Sequence, residues 1–316
     1  MAIRVWLNLK KYAPLFCLAI VIMLSILLPN SPKHPKFDKL YFTYTLIGVF
    51  IIYSILLLIP RLRKFFDYNG PLIAGAIILL GTVDLMTTKL AILPVLHFPS
   101  PNNIIAVFFK DSELLRKCLM YSTRLLLWGY LFGAISGILT GILIGFSKVA
   151  NYWISPLVRM LGPMPPVIWI PIALIMLPSA VWASTFLIAL AVWFPTAIMT
   201  SSGISNIRQI YFDVGETLGA TGIKKIIYIG IPSAMPHIFL GMFSGMCASF
   251  ITLVTAEMIG AKYGIGWYIN LNREMLSYPK VYAGILIIIV LFSIIIKMLF
   301  VLRNKLLVWQ KGYIKW

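Results

Sequence analysis

The sequence predicts an all-α membrane protein with about eight transmembrane helices. Of its 316 residues, 60% are hydrophobic and 11% are charged, and the mean hydropathy is +0.94. A spanning helix needs about 20 apolar residues at a rise of about 1.5 Å each. The apolar runs are much longer than barrel strands and do not alternate, which argues against a membrane barrel. The candidate spans are residues 13–29, 41–59, 71–93, 124–146, 154–177, 180–203, 236–259 and 281–302.

The basic residues predict how the chain lies in the membrane. A formal net charge of +18 would suggest nucleic acid for a soluble protein, but here the basic residues flank the apolar runs. Such residues hold helix ends at the cytoplasmic headgroups, so we expect no nucleic-acid partner. With eight spans, four basic groups share one side, which we expect to be the cytoplasm together with both termini. The groups are Arg4, Lys10 and Lys11; Arg61, Arg63 and Lys64; Arg208, Lys224 and Lys225; and Arg303, Lys305, Lys311 and Lys315.

Residues 1–70 are predicted to form a two-span appendage, and residues 71–316 the main body. The first run has no small-residue cleavage pattern after it, so an uncleaved span is expected. The second span should end at Pro60. Asp84, in the third run, is a pathway candidate because a carboxylate within a membrane is costly. A structural role beside Thr87 and Thr88, one turn away, is the alternative.

The sequence FPSPNNIIAVF, from Phe98, predicts a helix start. Pro99 and Pro101 end any preceding helix, and Ser100 or Asn102 can cap a new one. The spacing of apolar residues over 102–118 then predicts an amphipathic helix at the outer membrane surface.

Glycine recurs every four residues in the fourth run, at Gly133, Gly137, Gly141 and Gly145. This spacing places all four on one helix face, and small faces let helices approach closely in lipid. We expect a packing seam with a neighbouring helix or with a partner subunit.

Prolines crowd the fifth run, LGPMPPVIWIPIALIMLP. Pro163, Pro165, Pro166 and Pro171 cannot all lie in one regular helix. Irregular backbone at membrane depth is tolerated where it is buried in protein or lines a cavity. We therefore place the translocation path beside Pro163–Pro171, and a simple kink at the cytoplasmic edge is the alternative.

The polar segment DVGETLGATGIKKIIYIGIP, Asp213 to Pro232, separates two long apolar blocks. Asp213 and Glu216 are expected near the start of a short helix, where they would complement its dipole. Gly219 permits a left-handed turn or a close backbone approach. A second helical stretch would carry Lys224 and end at Pro232. Two short helices meeting at a glycine would form a knob that fits a groove in another protein.

This segment resembles the EAA loop of ABC-importer permeases, which docks onto a cytoplasmic ATPase. The loop reads EAA, three residues, Gly, nine residues, Ile, any residue, Leu-Pro; here Gly219, Ile229 and Pro232 fit that spacing. Asp213-Val214-Gly215 stands in place of EAA, and Ile231 in place of the leucine. Other segments resemble the permeases for taurine, aliphatic sulfonates and nitrate, and together the resemblance covers about 98–310. These segments are Pro-Ser-Pro at 99–101, Pro-x-Pro-Pro at 163–166, and AEMIGA at 256–261 with Gly264 and Gly266.

The resemblance implies a six-helix type I importer core preceded by two extra spans, in a bacterial inner membrane. It implies a coupling segment over 206–232, with ATPase contacts from Asp213, Glu216, Gly219, Ala220 and Lys224. It implies as partners ABC ATPase subunits holding ATP and Mg²⁺, a second copy of the chain, an external substrate-binding protein and membrane lipid. The solute would be a small anion or a pyrimidine-type precursor. Glu257 would pair with Arg273 or Lys262, or would face the pathway.

Motifs for other chemistry are absent from the sequence. No G-x4-G-K-[ST] loop occurs, so ATP hydrolysis is expected in a separate subunit. The cysteines and histidines lack metal-ligand spacing, so no metal, cofactor or catalytic residue is expected. An ATPase-independent secondary transporter or channel is the alternative function, although it would predict inverted repeats and paired ionisable residues in the membrane. A membrane-embedded enzyme is disfavoured, because no acid/base cluster is evident.

Overall fold

The computed structural model of the chain describes residues 10–32, 40–162 and 164–309, with the side chains of Arg61, Leu62 and Lys64 left out. Every regular element in these ranges is a helix and none is a strand, which confirms the predicted fold class. Pro163, one of the predicted pathway residues, lies outside the described ranges, as do the basic residues Arg4, Lys311 and Lys315.

Four α-helices lie in the described N-terminal residues, 10–32 and 40–110. They are α1 (Ala13–Leu27), α2 (Tyr41–Leu58), α3 (Pro60–Asp84), which continues as a π turn (Leu85–Lys89), and α4 (Pro101–Lys110). Ile59 adopts an extended conformation, as expected of a residue before proline, and this ends α2 as predicted. The predicted boundary at residue 70 falls inside α3; the division into appendage and core stays a prediction.

Nine helices follow in the described residues after Asp111. They are α5 (Ser112–Phe146), α6 (Lys148–Leu161), α7 (Ile170–Met176) after a 3-10 turn (Pro166–Trp169), α8 (Ala180–Ser205), α9 (Gln209–Thr217), α10 (Ile223–Lys225), which continues as a π turn (Ile226–Gly230), α11 (Ile231–Gly260), α12 (Ile265–Glu274) and α13 (Tyr278–Leu306). The surface helix predicted over 102–118 ends earlier, at Lys110. The helix breaks at Asp111, and Ser112 begins the 35-residue α5.

Seven helical segments of the described chain are long and apolar enough to cross a membrane, and a bent pair would make an eighth. The bent pair is α6 with the segment Pro166–Met176, at 93° to each other. Its break coincides with the proline cluster, as the sequence predicted. The segments are Lys10–Leu27, Tyr41–Leu58, Phe65–Lys89, Ser112–Phe146, Ala180–Ser205, Ile223–Gly260 and Tyr278–Leu306.

The chain divides into two compact units. The first combines residues 1–113 with 271–283. Its described core joins α1, α2 and α3 through Leu18, Val21, Phe42, Leu46 and Ile77. Lys89 also ties α1 to the end of α3, since its Nζ donates to the carbonyl oxygens of Ser25 and Leu28, each at 2.7 Å. A cation at these carbonyls suits the negative end of the α1 dipole.

The second unit combines residues 114–270 with 284–316, and the glycine seam lies at its centre. Gly137 faces Thr196, and Gly141 faces Thr200, so closely that an added Cβ would lie 2.8 and 2.5 Å from the threonine Cβ atoms. Gly145 meets Ile204 in the same way. Along the seam the residue numbers of α5 and α8 increase in the same direction, so the two helices run parallel. The seam predicted from glycine spacing is therefore confirmed, and its partner is α8.

Candidate functional site

The polar segment between α8 and α11 forms a compact knob, which we define as residues 206–232. Apolar side chains of the knob point outward, both in α9 and in the residues that follow it. Leu218 is 82% exposed and Ile223 73% exposed. An isolated soluble surface seldom shows several such residues side by side, and exposed apolar patches mark interaction sites. The other exposed large apolar side chains of the knob are Ile210, Tyr211, Val214, Ile227 and Tyr228.

Two glycines shape the turn at the tip of the knob. Gly219 has a φ of +83° and Gly222 a φ of +56°, values that side chains with a Cβ rarely adopt. An added Cβ would meet nothing within 4 Å at either position. Gly219 is therefore required for the left-handed turn, the first of the two roles that the sequence left open.

Several polar and charged side chains of the knob bond to one another. Glu216 and Lys225 form an ion pair, and the Lys225 ammonium lies 5.0 Å above the centre of the Phe212 ring. The side chain of Gln209 donates to Asp213 at 3.0 Å. These contacts fix the shape of the turn, although exposed pairs each add little free energy.

The predicted dipole role of the acidic residues is wrong. The first turn of α9 contains no acidic residue. The helix already begins at Gln209, because the extended Arg208 lets it start soon after α8 ends. Asp213 therefore lies in its middle and Glu216 near its C-terminus, where a carboxylate gains nothing from the dipole.

Pro232 does not end the second short helix as predicted. The residues from Ile226 to Gly230 form a π turn, and α11 then continues from Ile231 without a stop. Proline lacks an N–H and clashes with the preceding turn of a regular helix, but it is tolerated in the first turn. The wider π turn places Pro232 in that first turn, so the knob leads directly into a spanning helix.

Packing ties the knob to three spans of the second unit. The Phe146 ring at the end of α5 meets Phe212 edge-on, with 6.1 Å between ring centres, and lies against Gly230, where an added Cβ would overlap it. Gly215 makes the same kind of contact with Ile229. A cluster of Ile204, Ala234 and Ile238 joins the ends of α8 and α11. Phe146 and Gly215 were not predicted from the sequence; for Gly215, a glycine in the second alanine position of EAA was the available signal.

Glu257 lies near the opposite end of α11 from Pro232, about 38 Å away at 1.5 Å per residue. It is 1% exposed and accepts hydrogen bonds from the Ser122 hydroxyl at 2.6 Å and the Gly266 amide at 2.8 Å. The Ser122 oxygen in turn accepts from the Ile265 amide at 2.9 Å. The carboxylate thus joins α5, α11 and the start of α12 through a hydroxyl and an amide donor. The sequence had left open a cationic partner, Arg273 or Lys262, or a position facing the pathway.

Glycines make room for this carboxylate. Gly264 has a φ of +136°, and an added Cβ there would lie 2.5 Å from the Glu257 carboxyl carbon. At Gly266 it would lie 2.6 Å from the Val254 carbonyl oxygen. The turn between α11 and α12 therefore needs glycine for conformation and for space.

The remaining predicted pathway residues are Asp84, Pro165 and Pro166; the 3-10 turn that Pro166 begins packs through Val167 and Trp169 into a cluster that includes Ala256, the neighbour of Glu257. Asp84 is the last residue of α3 in the first unit, buried, with the Thr88 hydroxyl donating to it at 2.8 Å. Pro165 is exposed and Pro166 half-buried at the break between α6 and α7. No cluster of three or more possible metal ligands occurs among the described residues.

Known proteins resemble this chain over most of its length. The taurine transport system permease protein TauC of Escherichia coli (strain K12) is 27% identical over 245 residues, covering 75% of this chain and 88% of that protein. The putative aliphatic sulfonates transport permease protein SsuC of Bacillus subtilis (strain 168) is 29% identical, covering 80% and 92%. The nitrate import permease protein NrtB of Synechococcus elongatus is 31% identical, covering 55% and 66%.

A family model also matches, over residues 134–307, which is more than half of the chain. This stretch contains three of the four seam glycines, the knob and Glu257. The chain therefore belongs to the family of binding-protein-dependent transport system inner membrane components and is a multi-pass permease subunit of the ABC-importer type.

Proposed function

We propose that the knob docks onto a separate ATPase and passes its motion to the spans. The observation that carries this proposal is an exposed apolar surface on the segment between two spanning helices, held in place by packing against α5, α8 and α11. Leu218 at its tip is 82% exposed. A purely solvated loop would gain nothing from presenting leucine, isoleucine and tyrosine to water. Asp213, Glu216, Gly219, Ala220 and Lys224 are the residues that we assign to this docking.

The contacts of the knob suggest how motion would reach the membrane. Phe212 and Gly230 both touch Phe146, and Phe146 ends α5, which lies against α8 along the glycine seam. A displacement of α9 would therefore move α5 and α8 together. ATP binding to the partner would favour one of two arrangements and so switch the cavity between outward and inward access.

The complete importer that we propose contains two copies of this chain, two ATPase subunits and an external binding protein. ATP and Mg²⁺ would be held by the ATPase subunits. The knob would face the cytoplasm of a bacterium, which also places both termini there. In this arrangement residues 71–316 would act as the importer core, and residues 1–70 as an appendage.

For the transported solute we propose a small anion. The support is that the relatives are named for taurine, aliphatic sulfonates and nitrate. The path would run beside Pro163, Pro165 and Pro166, where the helix is broken. Glu257 would hold the outer end of that path in shape, since its bonds join three elements. For Asp84 a structural role in the first unit fits its buried bond to Thr88 better.

Replacing Leu218 tests the proposal. Because Leu218 is 82% exposed, Leu218→Asp should leave the fold intact yet place a charge in the apolar contact, weakening ATPase association by about tenfold or more. The measurement is co-purification of a co-expressed ABC ATPase subunit with the chain, together with solute uptake. Leu218→Met keeps the surface apolar and should behave like the natural chain.

Unchanged association and uptake in Leu218→Asp would overturn the docking role. Uptake by the purified chain in liposomes that contain no ATPase would instead support a secondary transporter or channel.

A further inference from the structure

A cavity of about 490 Å³ lies between α5 and α8, far from the knob. Its lining includes one cation, Arg124, and the aromatic residues Tyr121, Trp128, Phe132 and Trp182. Trp128 and Phe132 stack at 5.9 Å between ring centres. No carboxylate lines the cavity, so its chemistry favours an anionic group attached to an apolar body.

Arg124 lacks a partner within the cavity. Its side chain is exposed, and among the described residues it takes part in no hydrogen bond or ion pair. An arginine within a spanning helix is costly unless its charge reaches the interface or a partner. Its planar guanidinium is suited to bidentate bonds with phosphate oxygens.

The length of α5 places Arg124 at a membrane surface. From Arg124 to Phe146 the helix rises over 22 residues, about 33 Å at 1.5 Å each, which matches the hydrocarbon thickness of about 30 Å. Lys148 follows directly at the other end. Trp182, in the first turn of α8, lies at the level of Arg124 because the seam aligns the two helices. Tryptophan and arginine are typical of the headgroup level.

Below Arg124, the exposed face of α5 is mainly apolar; Ser136 is also exposed, and its hydroxyl donates to the carbonyl oxygens of Phe132 and Gly133 within the same helix. This face offers a hydrophilic solute few polar groups, whereas it offers an acyl chain a continuous set of apolar side chains. The face repeats every four residues and consists of Leu127, Leu131, Ile135, Leu139 and Leu143. A headgroup site at the top and an apolar track beneath it match the two parts of a phospholipid.

We propose that this cavity binds the phosphodiester of a membrane phospholipid, with Arg124 holding the phosphate and the face below it holding an acyl chain. The lipid would fill the groove between the two seam helices at the leaflet opposite the knob. This inference rests on the spanning helices and does not depend on ATPase docking.

The test measures lipid binding to the purified full-length chain by native mass spectrometry. Phosphatidylglycerol is compared with a neutral galactolipid that carries the same acyl chains. Arg124→Gln should weaken retention of phosphatidylglycerol by about tenfold and leave galactolipid binding unchanged. Arg116→Gln is the matched control, because Arg116 is an exposed arginine two turns earlier on α5 and does not line the cavity.

Three outcomes would overturn the proposal: equal retention of both lipids by the natural chain, unchanged retention in Arg124→Gln, or an equal loss in Arg116→Gln. Displacement of the lipid by taurine, nitrate or an alkyl sulfonate would show a solute site instead. Should Arg124→Gln fail to fold, the comparison of the two lipids on the natural chain still tests the proposal. Arg124→Lys should then retain part of the preference for phosphatidylglycerol over the galactolipid.

Discussion

Glycine serves opposite purposes in the seam and in the knob. Along the seam, Gly137 and Gly141 are buried in regular helix, with no space for a Cβ. In the knob, Gly219 and Gly222 have open space around them but backbone angles that a Cβ disfavours. The seam uses glycine for close packing in lipid, and the knob uses it to fold an exposed surface. Substitutions in the seam and in the knob should therefore have different kinds of effect.

The largest effect is expected in the seam. Gly137→Leu would force a side chain against Thr196 and the Trp193 carbonyl oxygen, both within 3 Å of an added Cβ. Such overpacking costs about 1–3 kcal/mol or more, so the chain should lose thermal stability and, with it, every activity. The measurements are the melting temperature in detergent and the size-exclusion profile.

Gly75→Leu supplies the matched control for the seam, because an added Cβ at that helical glycine meets nothing within 4 Å. Its melting temperature should equal or exceed that of the natural chain. Equal stability of Gly137→Leu and Gly75→Leu would contradict the close packing.

A smaller effect, confined to function, is expected in the knob. Gly219→Val places a β-branched residue at a φ of +83°, at a local cost of about 1–3 kcal/mol. The tip should rearrange and ATPase association should fall, while the melting temperature changes little. Gly219→Asn is the control, since asparagine tolerates the left-handed region better. Normal association in Gly219→Val would show that the turn is not needed for docking.

The smallest structural change with a functional consequence is expected where the two regions meet. Phe146→Ala removes the ring that contacts Phe212 and Gly230 but leaves the outer face of the knob unaltered. The ATPase should still bind, whereas the solute moved per ATP hydrolysed should fall by several-fold, because α5 no longer follows α9. Phe146→Leu should restore part of this ratio. Loss of ATPase binding in parallel with uptake would argue for a purely structural ring.

The spans and the seam were predictable from sequence because each depends on a pattern along one helix. Apolar runs of about 20 residues must span the bilayer, and a four-residue glycine repeat must lie on one face. The helix break at Pro165 and Pro166 followed in the same way, from the missing proline N–H. Family resemblance supplied the position of the knob, through the spacing from Gly219 to Pro232.

Features that depend on contacts between distant residues could not be predicted. The partners of Glu257 come from residues 135 positions before and nine after it in the chain, and a serine hydroxyl carries no charge to signal the pairing. The start of α9 at Gln209 and the π turn before Pro232 were missed as well, because alternative hydrogen-bond registers differ little in local preference.

The sequence by itself determined that this chain crosses the membrane repeatedly and that a polar knob interrupts its spans, because hydrophobic length and backbone chemistry act locally. Only the tertiary structure decided which helix fills the glycine seam, which ring joins the knob to α5, and how Glu257 is held. Those outcomes depend on side-chain packing in three dimensions, where the closest neighbours of a residue are often far from it in sequence.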